Sequence, residues 1–393
     1  MHERRKIFLH IGAPKSGTTY LQKILDANRA ALRQAGLLYP SVSHFVASQD
    51  LRDMQFKRHS NPRVSGAWSS LVAEVERWPG NAVIDHELLA AATPKHIARA
   101  INDLRFADVH VIWTDRDMAR QLPAAWQESI KNRETITFAH YIEAVRAKPP
   151  AGGRQRRIFW SLHDAPAILA RWSRDLPADR VHVIPVPARH ADRLELWRRF
   201  ARVLGIDPKR YAVPDGNLNS SLGAAEAAAL RDFNAMSAGI EIPWPVYATV
   251  IKHGVPRRLN RQSGNRIELP EDVFDWTVQW SRDAIAKLRA ADYDPVGDLD
   301  ELIPAERPTG ADPDRIPAEE RADAALAMLA AALDLVATRG LRGTDQSVIA
   351  RREPRGAGEL IRALPNAYRL TRWMSRRAAP VVAFAIDNGA RRR

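Results

Sequence analysis

The stretch Lys6–Thr19 constrains the fold of this chain more than any other, because it joins a short apolar run to a turn rich in glycine and proline. Its sequence is KIFLHIGAPKSGTT, and the apolar run is typical of a buried strand. A helix is expected to begin after the turn, at Thr18 or Thr19, and to continue to Gln34 before Gly36. A strand that leads through such a turn into a helix points backbone N–H groups at one place. This arrangement predicts an anion site, most often one for phosphate.

The position of the lysine indicates which kind of phosphate the loop holds. A nucleoside-triphosphate P-loop carries a lysine directly after its second glycine, and then a hydroxyl residue that holds Mg²⁺. Here Gly12 and Gly17 have the P-loop separation and Thr19 occupies the hydroxyl position, but Thr18 stands where the lysine belongs. The lysine is instead Lys15, inside the loop. We therefore expect a phosphate ester other than a triphosphate, and no metal.

The sequence PKSGTT resembles the 5′-phosphosulfate loop of sulfotransferases that use 3′-phosphoadenosine-5′-phosphosulfate (PAPS). In that family the lysine precedes the glycine and no metal takes part. The resemblance implies that Lys15 stabilises the phosphate leaving group as charge develops there. It also implies that the nucleotide is bound by the whole loop, namely Pro14, Lys15, Ser16, Gly17, Thr18 and Thr19.

A second part of the resemblance concerns the 3′-phosphate. Sulfotransferases share a strand followed by Arg-Asp/Asn-Pro, with a serine eight residues after the arginine and an aromatic residue ten after it. The strand 109–113 and Arg116 fit this pattern, and Trp126 supplies the aromatic residue. Met118 and Ala124 depart from it, so one hydroxyl contact is missing. The candidates to replace that contact are Gln121, which we include in the predicted binding site, Gln127 and Ser129.

Transfer of a sulfuryl group to a hydroxyl also needs a general base. Glu87 follows the predicted strand 82–85, and a partly desolvated carboxylate there can take a proton near neutral pH. His86 is the alternative, because neighbours that leave a strand point in opposite directions. Two further candidates are His44 and His163.

The composition excludes several classes of site and indicates in which cellular compartment the protein works. The 393 residues include no cysteine, which excludes disulfides, thiolate metal sites and a cysteine nucleophile and favours a reducing, cytoplasmic setting. The apolar run near the basic N-terminus is too short for a signal peptide, and no stretch approaches the length of a spanning helix. The histidines lack metal-ligand spacing. A net charge of +13 favours anionic ligands but does not choose among a nucleotide, nucleic acid and acidic lipid.

A fourth strand is expected at 181–184. Strands alternate with helices over most of the chain, which predicts an α/β fold with three layers, a central parallel sheet flanked by helices, as in P-loop proteins. Ligands of such sheets bind beyond the carboxyl ends of the strands. We expect a sulfotransferase-like domain over 1–303, a linker at 304–317 and a helical, arginine-rich extension over 318–393. Residues 341–393 carry twelve arginines against four acidic residues. This tail is a candidate for peripheral contact with an acidic membrane at its inner face.

The prediction is a PAPS-dependent sulfotransferase acting on a hydroxyl of a sugar, lipid or small metabolite and releasing adenosine 3′,5′-bisphosphate. The segments 41–63 and 148–157 are expected to be irregular and to shape the acceptor pocket. One alternative is a phosphotransferase that uses ATP and Mg²⁺, which would need a lysine after Gly17. Another is a nucleic-acid-binding protein that uses the arginine-rich tail, which we consider less consistent with the loop. A loop with Arg261 and Gly264 is a loose match to another 3′-phosphate element of the family.

Overall fold

A computed structural model describes residues 4–54, 62–149, 151–188, 190–214, 221–259 and 265–339. The chain divides into two compact units, Met1–Ala337 and Thr338–Arg393. Almost all of the second unit lies outside the described residues, and so does the arginine-rich tail predicted to contact membranes.

The first unit is built on a parallel sheet with the strand order β2-β3-β1-β4-β5-β6. Its strands are β1 (Lys6–Gly12), β2 (Leu37–Leu38), β3 (Asn81–Asp85), β4 (Asp108–Asp115), β5 (Val181–Pro185) and β6 (Asp294–Pro295). The four longer strands confirm the predicted ones. Strands β2 and β6 have two residues each, too few for a periodic pattern in the sequence.

The described helices flank this sheet and extend beyond it. In chain order they are α1 (Thr18–Ala27), α2 (Arg29–Gln34), α3 (His44–Leu51), α4 (Ala67–Glu76), α5 (Pro94–Asp103), α6 (Met118–Lys131), α7 (Phe138–Arg146), α8 (Gly153–His163), α9 (Ala165–Trp172), α10 (Glu195–Leu204), α11 (Ala224–Met236), α12 (Trp244–Tyr247), α13 (Val255–Arg258), α14 (Glu271–Ala290) and α15 (Ala318–Arg339). A π-helix, Ala248–Gly254, joins α12 to α13.

Alternate residues of the strands enter two different apolar cores, one on each face of the sheet. In β1, Ile7, Leu9 and Ile11 lie in one core, whereas Phe8 lies in the other, with Leu21 and Ile24 of α1. This alternation follows from the two-residue period of a strand. The predicted three-layer α/β fold is therefore confirmed. A third core joins α6, α7, α8 and α11 to the C-terminal helices.

Three local predictions need correction. The helix expected over 19–34 is two helices, because the chain turns at Asn28, whose side chain binds the carbonyl groups of Ile24 and Ala212. The segment 148–157 is not wholly a loop, since α8 begins at Gly153. The segment 41–63 is not wholly irregular, since it contains α3, capped by Ser43, while 55–61 lies outside the described residues.

Residues 304–317 pack as part of the first unit, which continues to Ala337. Ile267 forms a parallel bridge with Ala311. The Asp314 carboxylate accepts hydrogen bonds from the backbone N–H groups at the start of α7, and it pairs with Arg231 of α11. The division between the two units lies at residue 338, so the segment 304–317, predicted to be a linker, lies within the first unit.

Candidate functional site

The loop after β1 has the geometry of an anion cradle. Gly17 precedes α1 with a φ of 86°, and Lys15 also has a positive φ, 65°. Among the described residues no side chain caps the start of α1. The first N–H groups of that helix are thus left for solvent or a ligand, as in helix-terminal phosphate sites. The φ of Gly17 favours glycine, and a Cβ at this position would also overlap the terminal methyl group of Leu196, which would have to move.

Buried polar side chains of the three central strands, β1, β3 and β4, connect the loop to the sheet. Thr114 at the end of β4 donates to the Gly12 carbonyl at 2.9 Å and contacts the Ser16 hydroxyl at 2.7 Å and His10 Nε2 at 3.0 Å. His10 Nδ1 lies 2.9 Å from a carboxylate oxygen of Asp85, at the end of β3. All four side chains of this chain of contacts are buried. The network fixes the loop to the sheet.

The loop residues predicted to bind the nucleotide differ in their exposure to solvent. Thr18 is buried, whereas Lys15 and Thr19 are exposed at the surface of the loop. The Ser16 hydroxyl also donates to the Ala13 carbonyl at 2.5 Å, so its bonds are made within the protein. The geometry therefore assigns Ser16 to holding the shape of the loop, and leaves Lys15 and the start of α1 facing outward.

Gln121 of α6 makes a direct hydrogen bond to the loop. Its Nε2 donates to the Pro14 carbonyl at 2.6 Å and lies 2.9 Å from Nδ1 of His163. Because an amide nitrogen only donates, His163 Nδ1 must be the acceptor and hence unprotonated. Burial, and then the charges of Arg116 and Lys15, lower the pKa of His163 to about 3. His163 is therefore a neutral, buried partner of Gln121, which leaves it without the access that a general base needs.

Arg116 lies at the carboxyl end of β4, as predicted. Its backbone N–H donates to the Asp115 carboxylate at 2.8 Å, and its guanidinium donates to the Arg120 carbonyl at 2.9 Å. Asp117 caps α6 and pairs with Arg120. The Asp117 carboxylate is therefore occupied by contacts within α6. Arg116 lies at the same end of the sheet as the loop.

The side chains that could have replaced the missing serine are mostly engaged elsewhere. Gln127 exchanges two hydrogen bonds with the Leu222 backbone, and Ser129 is a hydrogen-bond partner of Tyr141. Trp126 is wholly buried and donates to the Ile136 carbonyl, which makes it a core residue. Gln121 alone among the three candidates touches the loop. The match with Arg261 and Gly264 falls outside the described residues.

The candidate bases lie at the end of β3. Glu87 begins a 3₁₀ turn and its carboxylate accepts from Gln22 of α1 at 3.4 Å. His86 Nδ1 accepts from the Leu88 N–H at 3.1 Å, and burial lowers the pKa of His86. In His44, Nδ1 accepts from the Asp85 N–H, and Nε2 lies 3.2 Å from the Pro40 carbonyl. Both ring nitrogens of His44 are therefore occupied, while Glu87 and His86 are both half-buried at the end of β3.

The sequence reasoning missed the direct partners of Lys15. Its ammonium lies 2.5 Å from Glu128 on α6, and the other oxygen of that carboxylate lies 2.9 Å from the ammonium of Lys252 in the π-helix. Burial works to raise the pKa of Glu128, but the two ammonium groups hold it well below its ordinary value. Burial, and then Lys15, lower the pKa of the nearby Lys131 to about 8. Position 128 matches no motif, so no pattern in the sequence could have found it.

The part of the chain that the structure describes contains neither a cluster of potential metal ligands nor a helix suited to span a membrane. No group of three or more histidine, aspartate or glutamate side chains is arranged there to hold a metal ion. Within the same ranges, no helix combines the length and the apolar character needed to cross a bilayer.

Comparison with known proteins gives one structural similarity. No family model and no curated protein matches the chain. Among solved structures, it is similar to the crystal structure of a sulfotransferase from Alicyclobacillus acidocaldarius, with 14% sequence identity and a TM-score of 0.43. The similarity covers 74% of this chain and 96% of that chain.

Proposed function

We propose that this chain is a sulfotransferase that uses PAPS as donor and a hydroxyl compound as acceptor. One observation carries the proposal. A loop between a central strand and an uncapped helix presents Lys15, while Thr18 occupies the position that a triphosphate P-loop reserves for lysine. The loop is therefore suited to an anion whose charge is met by a lysine ahead of the second glycine.

The residues of the loop fit a 5′-phosphosulfate. The first N–H groups of α1 would hold the phosphate with the favourable end of the helix dipole. Lys15 would hold its ammonium against the oxygen between phosphorus and sulfur, where negative charge grows as the leaving group departs. To do so it must leave Glu128, an exchange of one anionic partner for another. Arg116, on the next strand, would bind the 3′-phosphate as a planar, charged fork.

PAPS would supply the sulfuryl group, whose transfer makes a bond from sulfur to the acceptor oxygen and breaks the bond from sulfur to the 5′-phosphate oxygen. Glu87 would take the proton that the acceptor hydroxyl loses. Its position at the end of β3, beside β1, puts it at the same edge of the sheet as the loop. The products would be a sulfate ester and adenosine 3′,5′-bisphosphate.

Calorimetric titration of the purified protein tests the proposal. Adenosine 3′,5′-bisphosphate and ATP would each be titrated with and without Mg²⁺, into the wild type and into Lys15→Ala and Arg116→Ala. Metal-independent bisphosphate binding that falls about tenfold or more in both variants is expected. Lys95→Ala is the matched control, because Lys95 is exposed on α5. Tight binding of ATP with Mg²⁺ and none of the bisphosphate would favour a phosphotransferase and contradict the proposal.

A further inference from the structure

Lys252 contacts the oxygen of Glu128 that Lys15 does not contact, and it comes from a segment that does not belong to the sheet. It lies in the π-helix Ala248–Gly254, and its ammonium also donates to Asn132 Oδ1 at 2.7 Å. Its side chain is only 17% exposed. π-Helical turns are rare and are frequent at functional sites. The candidate site therefore has a second wall, made by the end of α6 and by this segment.

Positive charge dominates this wall. Among the described residues, the charged groups that act on Glu128 or on one another here are three cations, Lys15, Lys131 and Lys252, and the Glu128 carboxylate itself. Such a cluster in a partly buried place is costly unless an anion joins it. Once Lys15 has moved to the donor, the remaining cations still exceed the charge of Glu128. The wall is thus suited to a second anionic group besides the donor.

An exposed aromatic surface adjoins the same lysine. Trp244, at the start of α12, is 47% exposed, and the Lys252 ammonium lies 5.7 Å from the centre of its ring. The ring stacks on Tyr247, and the Arg133 guanidinium lies over both. Arg133 in turn donates to the Ile242 carbonyl at 2.6 Å. The tryptophan is therefore held in place while about half of its surface stays exposed, which suits contact with an apolar or ring-shaped part of a ligand.

We propose that Lys252 and Trp244 form the acceptor subsite, and that the acceptor carries a negatively charged group next to an apolar or ring-shaped body. This inference rests on the proposed sulfotransferase function. Lys252 would bind the anionic group and Trp244 would pack against the body. The acceptor hydroxyl would thereby be held beside Lys15.

Two related probes test this assignment. 6-Hydroxy-2-naphthoate and 2-naphthol share a ring system and a hydroxyl, and differ in one carboxylate. Each would be titrated by calorimetry into protein saturated with adenosine 3′,5′-bisphosphate. The wild type is expected to bind the carboxylate probe about tenfold more tightly than 2-naphthol. Lys252→Met should abolish this preference, and Lys252→Arg should retain it. Trp244→Ala should lower the affinity for both probes.

The controls separate this inference from the proposed function. Lys95→Met should behave as the wild type, and bisphosphate affinity should change by less than about twofold in Lys252→Met. Equal binding of both probes, or binding of neither, by wild-type protein that does bind bisphosphate would overturn the acceptor assignment. A marked fall in bisphosphate affinity in Lys252→Met would assign the lysine to the donor and overturn it too. Failure of the wild type to bind bisphosphate would instead contradict the proposed function.

Discussion

The ammonium of Lys15 lies 2.5 Å from one oxygen of the Glu128 carboxylate, so the lysine of the anion loop is already paired in the protein alone. Lys252 holds the other oxygen. Glu128 thus stands where an anionic ligand would compete, and it keeps two ammonium groups from different parts of the chain close together. Any anion that binds the loop through Lys15 must displace this carboxylate.

Glu128→Gln should therefore raise the affinity for adenosine 3′,5′-bisphosphate, because the competing charge is gone. Both groups of the ion pair are partly exposed, so we expect a gain of about threefold at low salt. The thermal midpoint should fall, since Lys131 and Lys252 lose their common counter-ion. Calorimetry and thermal unfolding measure the two effects, with Glu143→Gln on the exposed side of α7 as the control. A weaker affinity would show that the carboxylate assists binding.

Gly17→Ala should destabilise the protein more than Gly36→Ala. Both glycines have a positive φ, 86° and 81°, so each substitution is expected to cost about 1 kcal/mol of backbone energy. At Gly36 nothing lies within 4 Å of the added Cβ, whereas at Gly17 the Cβ meets Leu196. The excess should be about 1–2 kcal/mol. Urea unfolding measures both variants, and equal values would mean that Leu196 yields freely.

The loop and the four longer strands could be predicted because their signals are local. An apolar run, a glycine turn and the start of a helix lie within Lys6–Thr19, and the alternation of strands and helices predicted the parallel sheet. The start of α8 was missed because Gly152 and Gly153 are typical of loops. Here they supply the two positive φ values from which the helix begins.

The second wall of the site could not be predicted in this way. Glu128 and Lys252 are 124 positions apart, and their contact depends on how α6 packs against a segment that follows the strands β1–β5. A single charged residue on a helix is usually solvated, so neither position stands out. The role of Ser16 also depends on Thr114, which reaches it from another strand. Long-range packing, and not local propensity, determines these contacts.

Thr114→Val should loosen the loop while preserving the shape of the side chain. The hydroxyl contacts the Gly12 carbonyl, Ser16 and His10, and all of these lie in the buried network. Loss of its bonds should lower the free energy of unfolding by about 2–4 kcal/mol and weaken bisphosphate binding. Thr135→Val, at an exposed position, should change neither quantity. Unchanged bisphosphate affinity in a destabilised Thr114→Val protein would separate the network from the site.

Glu87→Gln should stop transfer without preventing donor binding. The amide keeps the shape of the carboxylate but cannot take a proton, so sulfation of 6-hydroxy-2-naphthoate should fall at least about 100-fold. Bisphosphate affinity should change by less than about twofold, because Glu87 is not a predicted donor ligand. Glu76→Gln, exposed at the end of α4, is the control. Full turnover in Glu87→Gln would assign the proton to another group.

His163 should make the protein less stable as the pH falls. Its pKa is lowered to about 3 in the folded state, whereas an unfolded histidine titrates near 6.5. Between these values the unfolded chain binds the extra proton, so unfolding becomes easier on acidification, by up to about 1.4 kcal/mol per pH unit. His163→Gln keeps an acceptor for Gln121 but cannot titrate. Urea unfolding between about pH 5 and pH 7 should give a shallower pH dependence for His163→Gln than for the wild type, since the other titrating groups are common to both proteins. Equal slopes would show that folding does not lower the pKa of His163, and would contradict its assignment as the neutral partner of Gln121.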